Sequence, residues 1–210
     1  MSKKLQLTLA ILKPDLTLRP YCVDQVRDML LQNDFIFVKS KEEHLDPAKV
    51  KSFYQEHQGK FFYNRLVTYM SRYERKIILY NLSIFITSVK HLFMFSIFFS
   101  GCSHIHILGR NENAIQKWRT MMGPTKVFKT RYEQPNTIRG LFGITDTRNS
   151  SHGSDSEETA RQEIQFFFPE FDFDNFYRSG QDQAFLNGQI SQTLFLDQKL
   201  FQHFVKDNNS

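Results

Sequence analysis

Cysteine is scarce in this chain of 210 residues, which has only Cys22 and Cys102. A disulfide framework and a four-thiolate metal site are therefore excluded, and a reducing compartment is the natural setting. Glycine (9) and proline (6) are too few for a collagenous or low-complexity chain. No arginine precedes Arg19, and the alternating apolar stretch at 5–12 is too short for a secretory signal, so no cleavable signal or presequence is evident. Import without cleavage is compatible with this. A large excess of one charge is also missing: the net charge of +5 suits phosphate-bearing small molecules or RNA and demands neither. An uninterrupted membrane-length run is lacking as well. The apolar segment 77–99 is broken by Lys90-His91, and a lysine near the centre of a span costs about 2.5–3.5 kcal/mol, which argues against a membrane helix.

What the chain has in quantity is apolar surface, at 40% of residues, enough for one globular domain. Its 22 phenylalanines cluster near 85–99 and 166–176. Leu5, Leu7, Leu9 and Ile11 alternate as in a half-buried strand, which Lys13-Pro14-Asp15 stops. Helical spacing of Val23, Val26, Met29 and Leu30 predicts a helix over 23–31, and a strand follows at 35–38. Asp46-Pro47 opens a helix to 54–56, ended by Gly59. A short helix carries Phe61, Phe62, Leu66, Val67 and Met70. A strand at 104–108 precedes a helix opened by Asn111, and Pro124 and Pro135 bracket a basic loop at 126–131. Ser154 or Asp155 caps a last helix, stopped by Pro169. Interleaved strands and helices imply an α/β or α+β sandwich with helices on one face of a small sheet.

The richest stretch for chemistry is Asn149-Ser150-Ser151-His152-Gly153-Ser154-Asp155-Ser156. A histidine before hydroxyls and the free amides of a helix start is placed where phosphate is welcome, although a loop histidine alone is more often structural. Here the chain resembles the nucleoside diphosphate kinase family, whose signature is Asn, two spacers, then His-Gly-Ser-Asp-Ser. Lys13-Pro14-Asp15, Phe61-Phe62, Trp118-Arg119 with Met122-Gly123-Pro124-Thr125, and Thr137-Ile138-Arg139-Gly140 support it, in the family's order, over roughly 5–72 and 104–169.

That resemblance implies an α+β fold, a ferredoxin-like sandwich with a four-stranded antiparallel sheet covered by helices. It implies transfer of a γ-phosphoryl from a nucleoside triphosphate to a diphosphate through a phosphohistidine at His152, oriented by Glu163, with Ser154 near the nucleophile. By the same matching, Lys13, Tyr54, Phe62, Leu66, Arg119, Thr125, Arg139 and Asn149 bind nucleotide. Phe62 and Leu66 are equally readable as core residues, and Glu163 alone reads as a solvated helix residue. Mg²⁺ is expected on the nucleotide phosphates, with no metal cage from the protein. A divergent branch of the family, suggested by Gly123-Pro124-Thr125 and Asp146-Thr147-Arg148-Asn149, further implies a mitochondrial or cytoplasmic location, weak activity alone and a β-propeller protein partner. A homo-oligomer is compatible. Nucleic acid binding through 126–131 is not expected, since short basic runs are usually solvated.

The resemblance gives a domain at 1–169 interrupted by an apolar insertion at about 73–103, followed by a divergent, flexible tail at 170–210. The insertion reads as a hairpin, a disordered excursion or a segment outside the working protein. Asp146 stands where the family pattern is apolar, near the base. The alternative function is a nucleotide-binding or assembly protein with little activity unless a partner is present.

Overall fold

The computed structural model describes residues 4–72, 75–81, 94–100 and 102–188, with backbone pairing alone for 75–81 and 94–100. The first strand, β1 (Gln6–Leu12), ends at Lys13 and gives way to α1 (Pro14–Thr17) and α2 (Pro20–Leu31). Both helices start on a proline, whose fixed φ suits the first helical position and whose missing N–H is not needed there. Pro20 thus starts the second helix three residues ahead of the apolar periodicity at Val23.

The next strand, β2 (Ile36–Glu43), runs five residues beyond the apolar segment. Its polar half keeps the ladder while its side chains turn to the edge, where Lys41 Nζ donates to the Phe167 carbonyl at 2.5 Å. Asp46 caps α3 (Pro47–Phe53) by accepting from the Lys49 amide at 2.8 Å, and a 3-10 turn at Gln55–His57 follows. Then comes α4 (Tyr63–Met70).

The interrupted stretch contributes β3 (Arg75–Asn81) and β4 (Met94–Ser100), paired antiparallel from Arg75↔Ser100 to Asn81↔Met94 in a two-stranded sheet of their own. Residues 82–93 of the insertion lie outside the described residues. Among the described residues no helix is long and apolar enough to cross a membrane.

The chain continues through β5 (Ser103–Arg110), α5 (Ala114–Met122), α6 (Val127–Glu133), α7 (Ile138–Phe142), β6 (Ser151–Gly153) and α8 (Glu157–Phe167). The basic segment expected as a loop is therefore the helix α6. Only Val127 and Thr130 are buried in it, too short a period to read from sequence. Ser156, rather than Ser154 or Asp155, caps α8 by accepting from the Thr159 amide at 3.1 Å.

The principal sheet has the order β2-β5-β1-β6, antiparallel throughout. This is the expected ferredoxin-like arrangement, with the β3–β4 pair outside it. Alternation along β1 sends Leu7, Leu9 and Ile11 to one core with α3, α4 and α8, and Ala10 and Leu12 to another with α2, α5 and α7. Helices cover both faces, correcting the one-faced sandwich expected from element order. A family of phenylalanines completes the first core. Phe173 and Phe176 from α9 (Phe173–Arg178) and Phe185 from α10 (Gln181–Leu186) are buried there, and the Tyr177 hydroxyl donates to the Leu5 carbonyl at 2.9 Å. Where a flexible tail is expected from 170 onward, α9 and α10 pack onto the core. Their apolar positions lie three apart, a helical face too brief to outweigh the Gln- and Asn-rich surroundings. Residues 189–210 lie outside the described residues.

Candidate active site

The short edge strand β6 carries His152 opposite Ile11 of β1. The backbone enters it through Ser150, a non-glycine residue with φ of +65° whose carbonyl accepts from the Lys13 amide at 2.9 Å. Left-handed backbone of this kind costs energy and persists only where surrounding contacts impose it. Behind the histidine, the buried Trp118 donates from its indole N–H to the His152 carbonyl at 3.2 Å. Gly153 is required by the same contact, since a Cβ there would stand 2.3 Å from the indole.

The imidazole is held on its far side. Nε2 lies 2.7 Å from Glu163 Oε1, and the other carboxylate oxygen accepts from the Ser154 hydroxyl at 2.6 Å. Ser154 is itself fixed by the Leu9 amide, which donates to its Oγ at 3.2 Å. Glu163 reaches this position from α8, two turns beyond the Ser156 cap. With Glu163 accepting the Nε2 proton, the lone pair resides on Nδ1. The rings of Phe53 and Tyr54 pack edge-on against the imidazole, with centroids 5.1 and 5.9 Å away.

Three cations are linked to this site. Arg139, at the start of α7, is buried and donates from Nη1 to the Gly123 carbonyl at 2.6 Å and from Nη2 to the Ser151 carbonyl at 3.0 Å. Burial, followed by the neighbouring charge of Arg119, brings its pKa down to about 10. Lys13 is also buried, and its ammonium donates to Asn149 Oδ1 at 2.7 Å. Desolvation first and the Arg139 charge second lower its pKa to about 7, against an opposing pull from Asp15. Arg119 is the third, on the exposed side of α5. Two buried cations, with a third on the exposed rim, make an environment that favours a polyanion.

A cavity of about 660 Å³ opens over these groups. Arg119, Thr125, Arg139, His152 and Glu163 line it, together with Asp155. Lys13 and Asn149 join the group by their mutual bond and by Lys13's coupling to Arg139. Tyr54 is brought to His152 but its hydroxyl is buried without a hydrogen-bond partner, and burial with the nearby Glu163 charge raises its pKa. Phe62 and Leu66 are not in the cavity wall. Leu66 is buried in the first core and Phe62 packs against it. Phe62 is linked to the site through His57, whose ring touches both Phe62 and Tyr54.

Several contributors escaped sequence reasoning. Phe53 and His57 carry no motif, and the motifs holding Gly123 and Ser151 do not reveal that their carbonyls accept from Arg139. Asp15 was read as part of a strand stop, yet it is buried, with burial raising its pKa, and Tyr69 donates its hydroxyl to it. Asp146, expected near the base, accepts from the Val127 amide at 2.9 Å and so ties the start of α6 to the loop carrying Asn149.

Comparison with known proteins places these features in context. The family model described as "Nucleoside diphosphate kinase" matches residues 6–93 and 86–173. The chain is similar to "Nucleoside diphosphate kinase 6" of Xenopus tropicalis, 39% identical over 96% of this chain and 93% of that protein. The Danio rerio protein of the same description is 44% identical, covering 80% and 79%. Among solved structures, the nucleoside diphosphate kinase of Aquifex aeolicus aligns with a TM-score of 0.61 at 29% identity, covering 78% of this chain and 95% of that one.

Proposed function

Since this chain belongs to the nucleoside diphosphate kinase family, we propose that it transfers the γ-phosphoryl group of a nucleoside triphosphate to a nucleoside diphosphate in two steps through His152. The observation that carries this reading is the Glu163 contact to Nε2, which leaves Nδ1 as the nucleophile. In the first step Nδ1 attacks the γ-phosphorus, the bond to the bridging oxygen breaks, and the diphosphate leaves with that oxygen. The Nε2 proton stays on the ring against Glu163, stabilising the positive charge that the N–P bond places on the imidazole. In the second, a terminal oxygen of the acceptor diphosphate attacks the same phosphorus and the N–P bond breaks.

Lys13, Arg119 and Arg139 neutralise charge on the phosphates in both directions. Arg139 is fixed by two carbonyls and needs no reorganisation during transfer, the property that makes preorganised charge effective. Asn149 orients the Lys13 ammonium, and Thr125 contributes a hydroxyl to the cavity wall. Divalent metal is general in this family, and Mg²⁺ carried on the nucleotide would screen the phosphate charge. The fit is reasonable: Asp155 and Glu56 line the cavity as carboxylates, while Glu163 is engaged with His152 and Ser154. Phe62 and Leu66 are proposed to meet the base only as α4 and its neighbours adjust.

A second reading, in which a partner raises activity, is favoured by Phe128 and Tyr132. They stand exposed on α6 with ring centroids 5.3 Å apart, directly after the cavity residue Thr125. Steady-state kinetics test the main proposal. Varying both nucleotides should give parallel double-reciprocal lines, and His152→Asn should abolish turnover with an unchanged circular dichroism spectrum. Full activity in that variant would overturn it.

A further inference from the structure

We propose a second, metal-binding site on this chain, formed by Cys102, His104 and Glu42 and suited to a zinc-class ion. Along β5 and the residue before it, the two-residue period puts Cys102 and His104 on one face. Glu42 of β2 is the direct cross-strand partner of His104. Cys102 Sγ lies 3.9 Å from one Glu42 carboxylate oxygen, and His104 Nε2 lies 3.9 Å from the other. One ligand atom from each residue falls within 4.8 Å of the others.

Around tetrahedral zinc, with bonds of roughly 2.0–2.3 Å, ligand atoms stand roughly 3.3–3.7 Å apart. The set must therefore close by up to about an ångström, the half-exposed Glu42 carboxylate by a change of rotamer and the Cys102 thiol and His104 ring by rotation about their own side-chain torsions. Sulfur, imidazole and one carboxylate are donors for zinc or cobalt, not for the hard Mg²⁺ that accompanies nucleotides. Binding displaces the thiol proton to solvent, so the ion takes the place of the proton that Cys102 now directs toward Glu42. Three protein ligands leave a fourth position for water on the exposed Glu42 side.

The thiol's frame is already fixed. The Cys102 carbonyl accepts from the Thr17 hydroxyl at 2.6 Å, and Thr17 ends the helix that begins beside Lys13. The next residue along the ligand face, His106, contacts Ser40 Oγ at 2.8 Å through Nδ1, a bond that orients the strand face from below. The site lies where the chain returns from β4 into β5. An ion there fastens that junction to β2, independent of the phosphoryl-transfer reading.

Cobalt titration of the reduced full chain, stripped of metal with chelator, tests this directly. One Co²⁺ per chain should bind with a thiolate-to-cobalt charge-transfer band in the near ultraviolet, and Zn²⁺ should displace it. Cys102→Ser should remove the band and lower affinity on the order of 100-fold, His104→Gln and Glu42→Gln should lower it at least about tenfold, and Cys22→Ser should bind normally. Absence of the band in the unmodified chain, its loss in Cys22→Ser, or unchanged affinity in both His104→Gln and Glu42→Gln would overturn the proposal. Should Cys102→Ser not fold, the half-exposed Glu42→Gln decides the matter. Nucleotide turnover enters none of these readings.

Discussion

Glu163 accepts from two donors at once, the His152 imidazole and the Ser154 hydroxyl, and the proposed chemistry depends on both its geometry and its charge. Glu163→Gln retains an acceptor for Nε2 but loses the charge that balances a phosphorylated imidazole, whereas Glu163→Ala loses both. Single-turnover rates should fall in that order, with the alanine variant slower on the order of 10²-fold or more. Lys13 adds a pH dependence. Its pKa is about 7 in the folded chain against 10.5 for an ordinary lysine. Between those values the unfolded chain holds more protons, so stability rises with pH across the window and the burial penalty is greatest below it. Urea midpoints at about pH 6 and about pH 9 should differ less in Lys13→Met than in the unmodified chain. Gly153→Ala should cost about 1–3 kcal/mol, as its methyl meets the buried Trp118 indole, and should depress transfer by moving the adjacent His152.

At the scale of elements, α9 and α10 cover the end of the first core. Phe176→Ala should lower stability by about 3 kcal/mol with an unchanged denaturant slope, because Phe176 is buried among Phe171, Phe173 and Phe185. A chain whose segment beyond 169 were dispensable to the core would show no shift in the urea midpoint. Elements with a long or regular pattern were legible in the sequence. Leu7, Leu9 and Ile11 marked β1, and Asp46-Pro47 marked the start of α3, whose end at Phe53 falls short of the expected 54–56. Elements whose signal is spread over three dimensions were not. β2 continues through Lys39 to Glu43 because β5 pairs with it, and α6 owes its helix to two inward side chains and Asp146 at its start. The site divides in the same way. His152, Lys13, Arg139 and Asn149 stood in motifs, Glu163 was reached only through the family resemblance, and the fold brings them together from positions as far apart as 13 and 163. The carbonyls that hold Arg139, the rings that wall His152 and the metal-ligand face of β5 have no linear pattern, since each depends on which strand lies alongside.

For the whole molecule, the principal sheet closes without the inserted strands. Among the described residues β3 and β4 pair only with each other, and Arg75 is the cross-strand partner of Ser100, so the first and last paired residues of the excursion stand side by side. Replacing 76–99 with a short flexible linker should preserve the circular dichroism spectrum of the α+β core and the ability to form a phosphoenzyme. Loss of soluble folded protein in that variant would show that the sheet depends on the insertion. Passage of phosphate through His152 is tested by incubating the purified chain with γ-labelled ATP and Mg²⁺, quenching, and chasing with GDP. The account predicts acid-labile label on the chain that moves to GTP in the chase and never forms on His152→Asn. ATP binding without label, or equal labelling of His152→Asn, would contradict it.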